Sequence, residues 1–173
     1  FPARKLTMIG VTGTDGKTTT TSMIHQILLR AGYQAGMIST INAIIGREVM
    51  DTGFHVTTPE APEVQAYLAR MVNAGLTHAV LETTSHGLTQ DRVSACDFDL
   101  AVVTNITHEH LDFHGSYQAY LEAKGLLFKS LAQTHPKAHG NINAAILNKD
   151  DRSYAYLKRI SPKDQISYSM VNK

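Results

Sequence analysis

Short, largely apolar runs recur along this chain and alternate with segments long enough to be helices. The runs are 6–11, 35–40, 78–83, 100–104 and 144–147, and 165–170 reads as a last strand. Segments 18–31, 59–73, 117–131 and 153–160 read as helices. Met23, Ile27 and Leu28 share one side of the first, and Gly32 stops it. Pro59 and Pro62 open the second, Val64, Tyr67, Leu68, Met71 and Val72 stand in helical register, and Gly75 ends it. The stretch 42–50 carries Gly46 inside apolar residues and reads as a small hairpin. Strands apolar on both faces, joined through helices, form a parallel sheet covered on each side. The expected fold is therefore α/β, a mostly parallel sheet with helices on both faces, of the P-loop-type mononucleotide-binding kind.

The length of 173 residues is that of one domain, 1–173. Sixteen basic and 15 acidic residues leave a net charge of +1, which gives no electrostatic pull toward nucleic acid or a membrane surface. No apolar run reaches transmembrane length. The single Cys96 excludes an internal disulfide and a multi-cysteine zinc module, and fits a reducing, cytoplasmic setting. The chain opens on Phe1 rather than Met, as expected of a piece of a longer protein.

In sheets of this kind ligands gather beyond the carboxyl ends of the strands. Three of the strand ends carry chemically capable residues. The first is followed by Gly13-Thr14-Asp15-Gly16-Lys17-Thr18-Thr19. This turn departs from the usual G-x-x-x-x-G-K-[ST], whose first glycine would fall on Val11. It still follows a strand and opens a helix. Glycines let backbone N–H groups converge on phosphate oxygens, and the helix start adds its dipole. Lys17 is placed to meet β- and γ-phosphates, and the Thr18 hydroxyl to meet Mg²⁺. Asp15 is the anomaly, since an acid in such a loop repels phosphate unless it turns away.

Glu82 ends the third strand, where phosphate-loop enzymes keep a magnesium-holding acid; a solvated strand-end carboxylate is the bland alternative. After the fourth come Thr104-Asn105 and then Thr107–Gly115, which holds His108, His110, His114, Glu109 and Asp112. Imidazoles at that density point to a metal, with His110 the strongest candidate. A zinc hydrolase built on His108–His114 is the minority reading, because Phe113 interrupts the H-x-H-x-D-H spacing and such an enzyme has no use for Gly-Lys-Thr. A module that binds ATP as a switch, without chemistry, is a further alternative.

The combination resembles the Mur ligases, the ATP-dependent amino-acid-adding enzymes of peptidoglycan synthesis. Gly13–Thr18 resembles their G-T-[NK]-G-K-[ST] loop except at Asp15. Thr57-Thr58-Pro59, Glu82-Thr83-Thr84-Ser85-His86-Gly87-Leu88, Thr104-Asn105 with His110-Leu111-Asp112-Phe113-His114-Gly115, and Glu122-Ala123-Lys124 are similar to the branch that makes the tripeptide. The resemblance implies ATP and two Mg²⁺ ions, with Thr18 and Glu82 on the first and His110 on the second. It also implies a CO₂-derived carbamate on Lys124, and a catalytic set of Lys17, Lys124 and His110. Thr57, Thr58, Thr84, Gln90 and Arg92 match positions that bind the muramoyl-peptide, and Val56 replaces an Asn common before Thr-Thr.

The implied reaction adds an amino acid to UDP-N-acetylmuramoyl-L-alanyl-D-glutamate through an acyl phosphate. This chain would be an incomplete central ATPase domain of a three-domain monomer, inactive alone. The amino acid would be brought by a domain outside it. Related carboxylate–amine ligases of the folylpolyglutamate and cyanophycin synthetase type share the loop and stand as the alternative within the same chemistry.

Overall fold

A computed structural model describes residues 1–52, 58–107 and 111–171, and the side chains of 111 and 112 are not described. In chain order the elements are β1 (Thr7–Thr12), α1 (Lys17–Arg30), β2 (Ala35–Ile38), β3 (Asn42–Ile45), β4 (Glu48–Asp51), α2 (Ala61–Asn73), β5 (His78–Glu82), α3 (Ser85–Thr89), β6 (Leu100–Val103), α4 (Leu111–His114), α5 (Tyr117–Ser130), β7 (Ala144–Asn148), α6 (Tyr154–Ile160) and β8 (Gln165–Tyr168). Eight strands form one sheet in the order β4-β3-β2-β5-β1-β6-β7-β8. β2, β5, β1, β6, β7 and β8 run parallel, and β3 and β4 add an antiparallel hairpin at one edge. Gly46, at φ +61°, turns that hairpin.

The period of two along each strand divides the core. Met8, Ala79, Leu81, Ala101 and Val103 point to the side covered by α2, α5 and α6, where Leu68, Met71, Leu127, Phe128 and Leu157 are fully buried. Ile9, Val11, Val80 and Val102 point to the other side, against Ile24 and Leu28 of α1. Gly10 lets α5 lie close to β1: a Cβ there would stand 2.6 Å from the Leu127 side chain and 3.0 Å from Phe98. Gly36 does the same for Met71 of α2, at 2.8 Å.

The first helix is rotated from the face read in the sequence. Met23 and Ile27 are 60% and 63% exposed, and only Leu28 of that trio packs inward. Thr21 and His25 are the buried side chains of α1. The reason is geometric. The sheet edge fixes residues 17 and 18, and positions 21, 24, 25 and 28 then follow at helical spacing onto the sheet. Apolar identity alone favoured the wrong side. Sequence reading also missed the two short helices α3 and α4.

The amino edge of the sheet is fastened by a buried ion pair. Lys137 Nζ donates to Asp99 Oδ2 at 2.5 Å, to the Leu6 carbonyl at 2.8 Å and to the Asp97 carbonyl at 2.7 Å. Asp99 also accepts the Met8 N–H at 2.7 Å. All three ammonium protons are used, which is what allows the charge to be buried.

His25 gives the fold a pH dependence. Its Nε2 meets the Ala35 carbonyl at 3.2 Å. Burial holds the imidazole below its ordinary 6.5, against the opposing effect of that bond. The unfolded chain therefore binds more protons than the folded one below 6.5, and acid favours unfolding there. The urea midpoint should fall as pH drops through that region, and His25→Gln should flatten the fall. An unchanged slope in the variant would contradict the burial argument.

Candidate functional site

The carboxyl ends of β5, β1 and β6 lie side by side, and the residues that follow them meet. β1 runs into the turn 13–16. Gly16, at φ +77°, caps α1 in the left-handed region that glycine enters without strain. Gly13, at φ +152°, is required for a different reason: a Cβ there would stand 1.8 Å from Thr104 Oγ1. The first intrahelical bond of α1 is Thr20 N–H to the Gly16 carbonyl, at 2.9 Å. The N–H groups of Lys17, Thr18 and Thr19 therefore precede the ladder and face the edge, as helix starts do.

The turn is held by its neighbours. Thr14 N–H donates to the Asn105 carbonyl at 2.7 Å. The Asn105 side chain then grips Asp15 at both ends, accepting its N–H at 3.0 Å and donating to its carbonyl at 3.3 Å. Thr104 adds a bond to that carbonyl at 2.7 Å. Asp15 itself is exposed, so its position is set by its main chain. The Thr14 hydroxyl accepts the Thr107 N–H at 2.9 Å and lies 3.2 Å from the Tyr120 hydroxyl. It braces the turn from within, and with the Thr14 N–H already on the Asn105 carbonyl, Thr14 serves the site by shaping the turn. Lys17 Nζ folds back to the Thr14 carbonyl at 2.6 Å, and Thr19 is exposed on the first turn of α1.

Lys124 is the largest departure from a surface helix lysine. It is 1% exposed, and its Nζ donates to the Gly13 carbonyl at 2.6 Å and lies 4.5 Å from the Tyr120 ring centre. Tyr120 and Lys124 are one helical turn apart on α5, so the same face reaches Thr14 and Gly13. The spacing of four was available in the sequence; the pairing was not read from it.

Glu82 is 1% exposed, not a solvated strand end. Its Oε2 accepts the Thr18 hydroxyl at 2.9 Å and the Thr40 N–H at 3.1 Å. Among the described residues its partners are these two neutral groups. A buried carboxylate satisfied by neutral donors lacks a countercharge. Together with the Thr18 hydroxyl it makes an all-oxygen donor set, the chemistry that suits Mg²⁺. The residues present fit that ion.

Thr58, Thr84 and Arg92 form a second group beside Glu82. The Thr58 and Thr84 hydroxyls lie 3.0 Å apart, Thr84 N–H donates to Thr58 Oγ1 at 3.1 Å, and Thr84 Oγ1 caps α3 by accepting the Gly87 N–H at 3.1 Å. Gly87 is needed here, since its Cβ would stand 2.8 Å from the Thr58 side chain. Arg92 Nη1 donates to the Thr58 carbonyl at 2.8 Å. Gln90 is exposed at the end of α3. Thr57, His108, Glu109 and His110 lie outside the described residues. His114 packs 5.6 Å from His86 and 5.2 Å from Tyr120 by ring centres. Among the described residues no group of three or more His, Cys, Asp or Glu is placed to hold a metal; the zinc-hydrolase reading turns on His108 and His110, which lie outside them.

Comparison with known proteins agrees with this arrangement. The Mur ligase middle domain model matches residues 11–173. The chain belongs to the Mur ligase family. It is 40% identical over 172 residues to UDP-N-acetylmuramoyl-L-alanyl-D-glutamate–2,6-diaminopimelate ligase of Geobacillus kaustophilus, covering 99% of this chain and 34% of that protein. It is 43% identical over 154 residues to UDP-N-acetylmuramyl-tripeptide synthetase of Roseiflexus sp., covering 87% of this chain and 30% of that one. A solved structure of a UDP-N-acetylmuramoyl-L-alanyl-D-glutamate–2,6-diaminopimelate ligase superposes with a TM-score of 0.82 at 30% identity, over 97% of this chain and 33% of that chain. FolC of E. coli, complexed with DHPP and ADP, shares the fold at a TM-score of 0.61 and 21% identity, over 96% and 44% of the two chains. The Mur ligase chain described here thus spans about a third of the length of the curated relatives.

If the grip on Asp15 orders the turn, removing it should be felt in nucleotide affinity. Asn105→Ala deletes two hydrogen bonds and should weaken ATP–Mg²⁺ binding by about tenfold. Asp15→Asn leaves the main-chain bonds intact and should preserve or improve it. Titration calorimetry on both variants checks the pair, and a large loss with Asp15→Asn would give the carboxylate a role of its own.

Proposed function

We propose that this chain is the ATP-binding middle unit of a cytoplasmic ligase. The ligase would join an amino acid to UDP-N-acetylmuramoyl-L-alanyl-D-glutamate through an acyl phosphate. The observation that carries the reading is the meeting of Lys17, Thr18 and buried Glu82 at one sheet edge, over a turn braced by Asn105 and Lys124.

The chemistry asks two anions to react, so cations and N–H dipoles dominate. An oxygen of the glutamate carboxylate attacks the γ-phosphorus of ATP, the bond to the β-phosphate oxygen breaks, and ADP leaves. An amine then attacks the acyl carbon, loses a proton and expels phosphate. The N–H groups of Lys17, Thr18 and Thr19 and the glycines at 13 and 16 bind and orient the phosphates. Lys17, released from the Thr14 carbonyl, offsets their charge. Thr18 and Glu82 would hold one Mg²⁺; His110 and a carbamate formed on Lys124 would hold a second. Bound magnesium neutralises charge building on the transferring phosphoryl group.

What supports a role for Lys124 is its approach to the turn, with Nζ on the Gly13 carbonyl. The carbamate nitrogen keeps one N–H for the Gly13 carbonyl, so the brace on the turn survives the modification. Thr58, Thr84, Gln90 and Arg92, with Thr57, would receive the muramoyl-peptide beside Glu82. The amino acid would come from a part of the protein beyond these residues.

In the full-length enzyme Lys17→Ala should lower kcat by roughly a hundredfold or more. Acceptor KM should change little. Phosphate release dependent on both acceptor and amino acid is the measurement, and normal turnover in the variant would defeat the assignment.

A further inference from the structure

Arg92 holds its guanidinium in an unequal setting. Its side chain is 13% exposed, and Nη1 is fixed by the Thr58 carbonyl at 2.8 Å. Nη2 meets Glu60 Oε1 at 2.9 Å, and Glu60 is 64% exposed. Nε is buried with no hydrogen-bond partner among the described residues. In a guanidinium the Nε–H and one Nη2–H project side by side from the same edge, the edge that grips a carboxylate with two parallel bonds. Glu60 meets the Nη2 end of that edge as an ion pair. One partner is an anchored cation and the other an exposed, replaceable anion.

The backbone sets the cost of the exchange. Glu60 precedes α2, and its own N–H is capped by Glu63 Oε2 at 3.2 Å. Its carbonyl takes the Val64 N–H at 3.0 Å. In return the Glu60 side chain caps the backbone of Glu63, so the two glutamates form a capping box. Swinging the Glu60 carboxylate away from Arg92 loosens that one cap and leaves the two main-chain bonds of Glu60 in place, so only a ligand that binds Arg92 more firmly displaces it.

We propose that Glu60 is a stand-in for a substrate carboxylate. It occupies Arg92 in the empty site and gives way to an acidic acceptor, which completes both bonds of the edge. This rests on the reading that Arg92 faces the acceptor. A peptide ending in glutamate carries two carboxylates: one is activated, and the other stays anionic throughout and needs a fixed cation. Glu60 sets the threshold for that group, since a neutral or weakly acidic acceptor does not displace it.

The test uses the full-length enzyme and two acceptors, UDP-N-acetylmuramoyl-L-alanyl-D-glutamate and its analogue with the non-reacting carboxylate as the amide. Glu60→Gln keeps size and removes the competing charge. It should lower KM for the acidic acceptor by roughly two- to fivefold, the scale of an exposed ion pair. KM for ATP and KM for the amide analogue should hold steady, and the gain should vanish in an Arg92→Lys background, which keeps the charge and loses the paired edge. An unchanged or raised KM for the acidic acceptor in Glu60→Gln overturns the stand-in role. If Arg92→Lys and Arg92→Ala both leave acceptor KM untouched while melting normally, the underlying placement of Arg92 fails with it.

Discussion

The carboxyl edge depends on the bracing of one turn. A run of Gly13-Thr14-Asp15-Gly16 left to itself would sample many backbone states, because glycine loses more freedom on ordering than any other residue. Here the turn is tied on one side by Asn105 and Thr104, from the loop after β6, and on the other by Lys124 and Tyr120 of α5. Fixed N–H groups stabilise charge without reorganising as it develops, and that is what a phosphate site needs. The requirement propagates inward. Lys124 reaches the Gly13 carbonyl only because α5 lies close on β1, and α5 lies close because Gly10 has no side chain to meet Leu127. A glycine in the middle of a strand thus belongs to the site as much as those in the turn.

The two edges of the sheet treat buried charge in opposite ways. At the amino edge, Asp99 faces Lys137, whose every proton finds an acceptor, and the arrangement is closed. At the carboxyl edge, Glu82 is equally buried but meets only the Thr18 hydroxyl and the Thr40 N–H among the described residues. The first is a fastening, complete as it stands. The second leaves a buried carboxylate with neutral partners alone among the described residues. Arg92 repeats the theme in positive charge, its Nε unpartnered among the described residues and its Nη2 beside an exposed glutamate.

Much of this was legible in the sequence. The uniformly apolar runs gave a parallel sheet, and the polar residues after them meet at its carboxyl edge, because both follow from short-range rules of burial and strand direction. Gly46 marked the hairpin and Gly16-Lys17-Thr18 the helix start. The orientation of α1 was not legible: Met23 and Ile27 look like core residues, while Thr21 and His25 are the buried ones, and only the position of the sheet decides between them. Lys124 is helical and charged, so nothing local marks it as buried, and only its register with Tyr120 placed both against the turn. Asn105 stood out as a strand-end residue, but its two-handed hold on Asp15 joins residues 90 apart in sequence and is visible only in three dimensions. Arg92 was expected to await a substrate anion; it also organises Thr58 and pairs with Glu60.

The central claim is that this edge activates a carboxylate by phosphorylating it. The most direct measurement places a heavy oxygen isotope in the glutamate carboxylate of the acceptor and follows it through one turnover of the full-length enzyme. Transfer of one labelled oxygen into the released phosphate is the expected result, because the acyl phosphate leaves with an oxygen that began in the acceptor. Phosphate released without label, alongside normal amide formation, would contradict it.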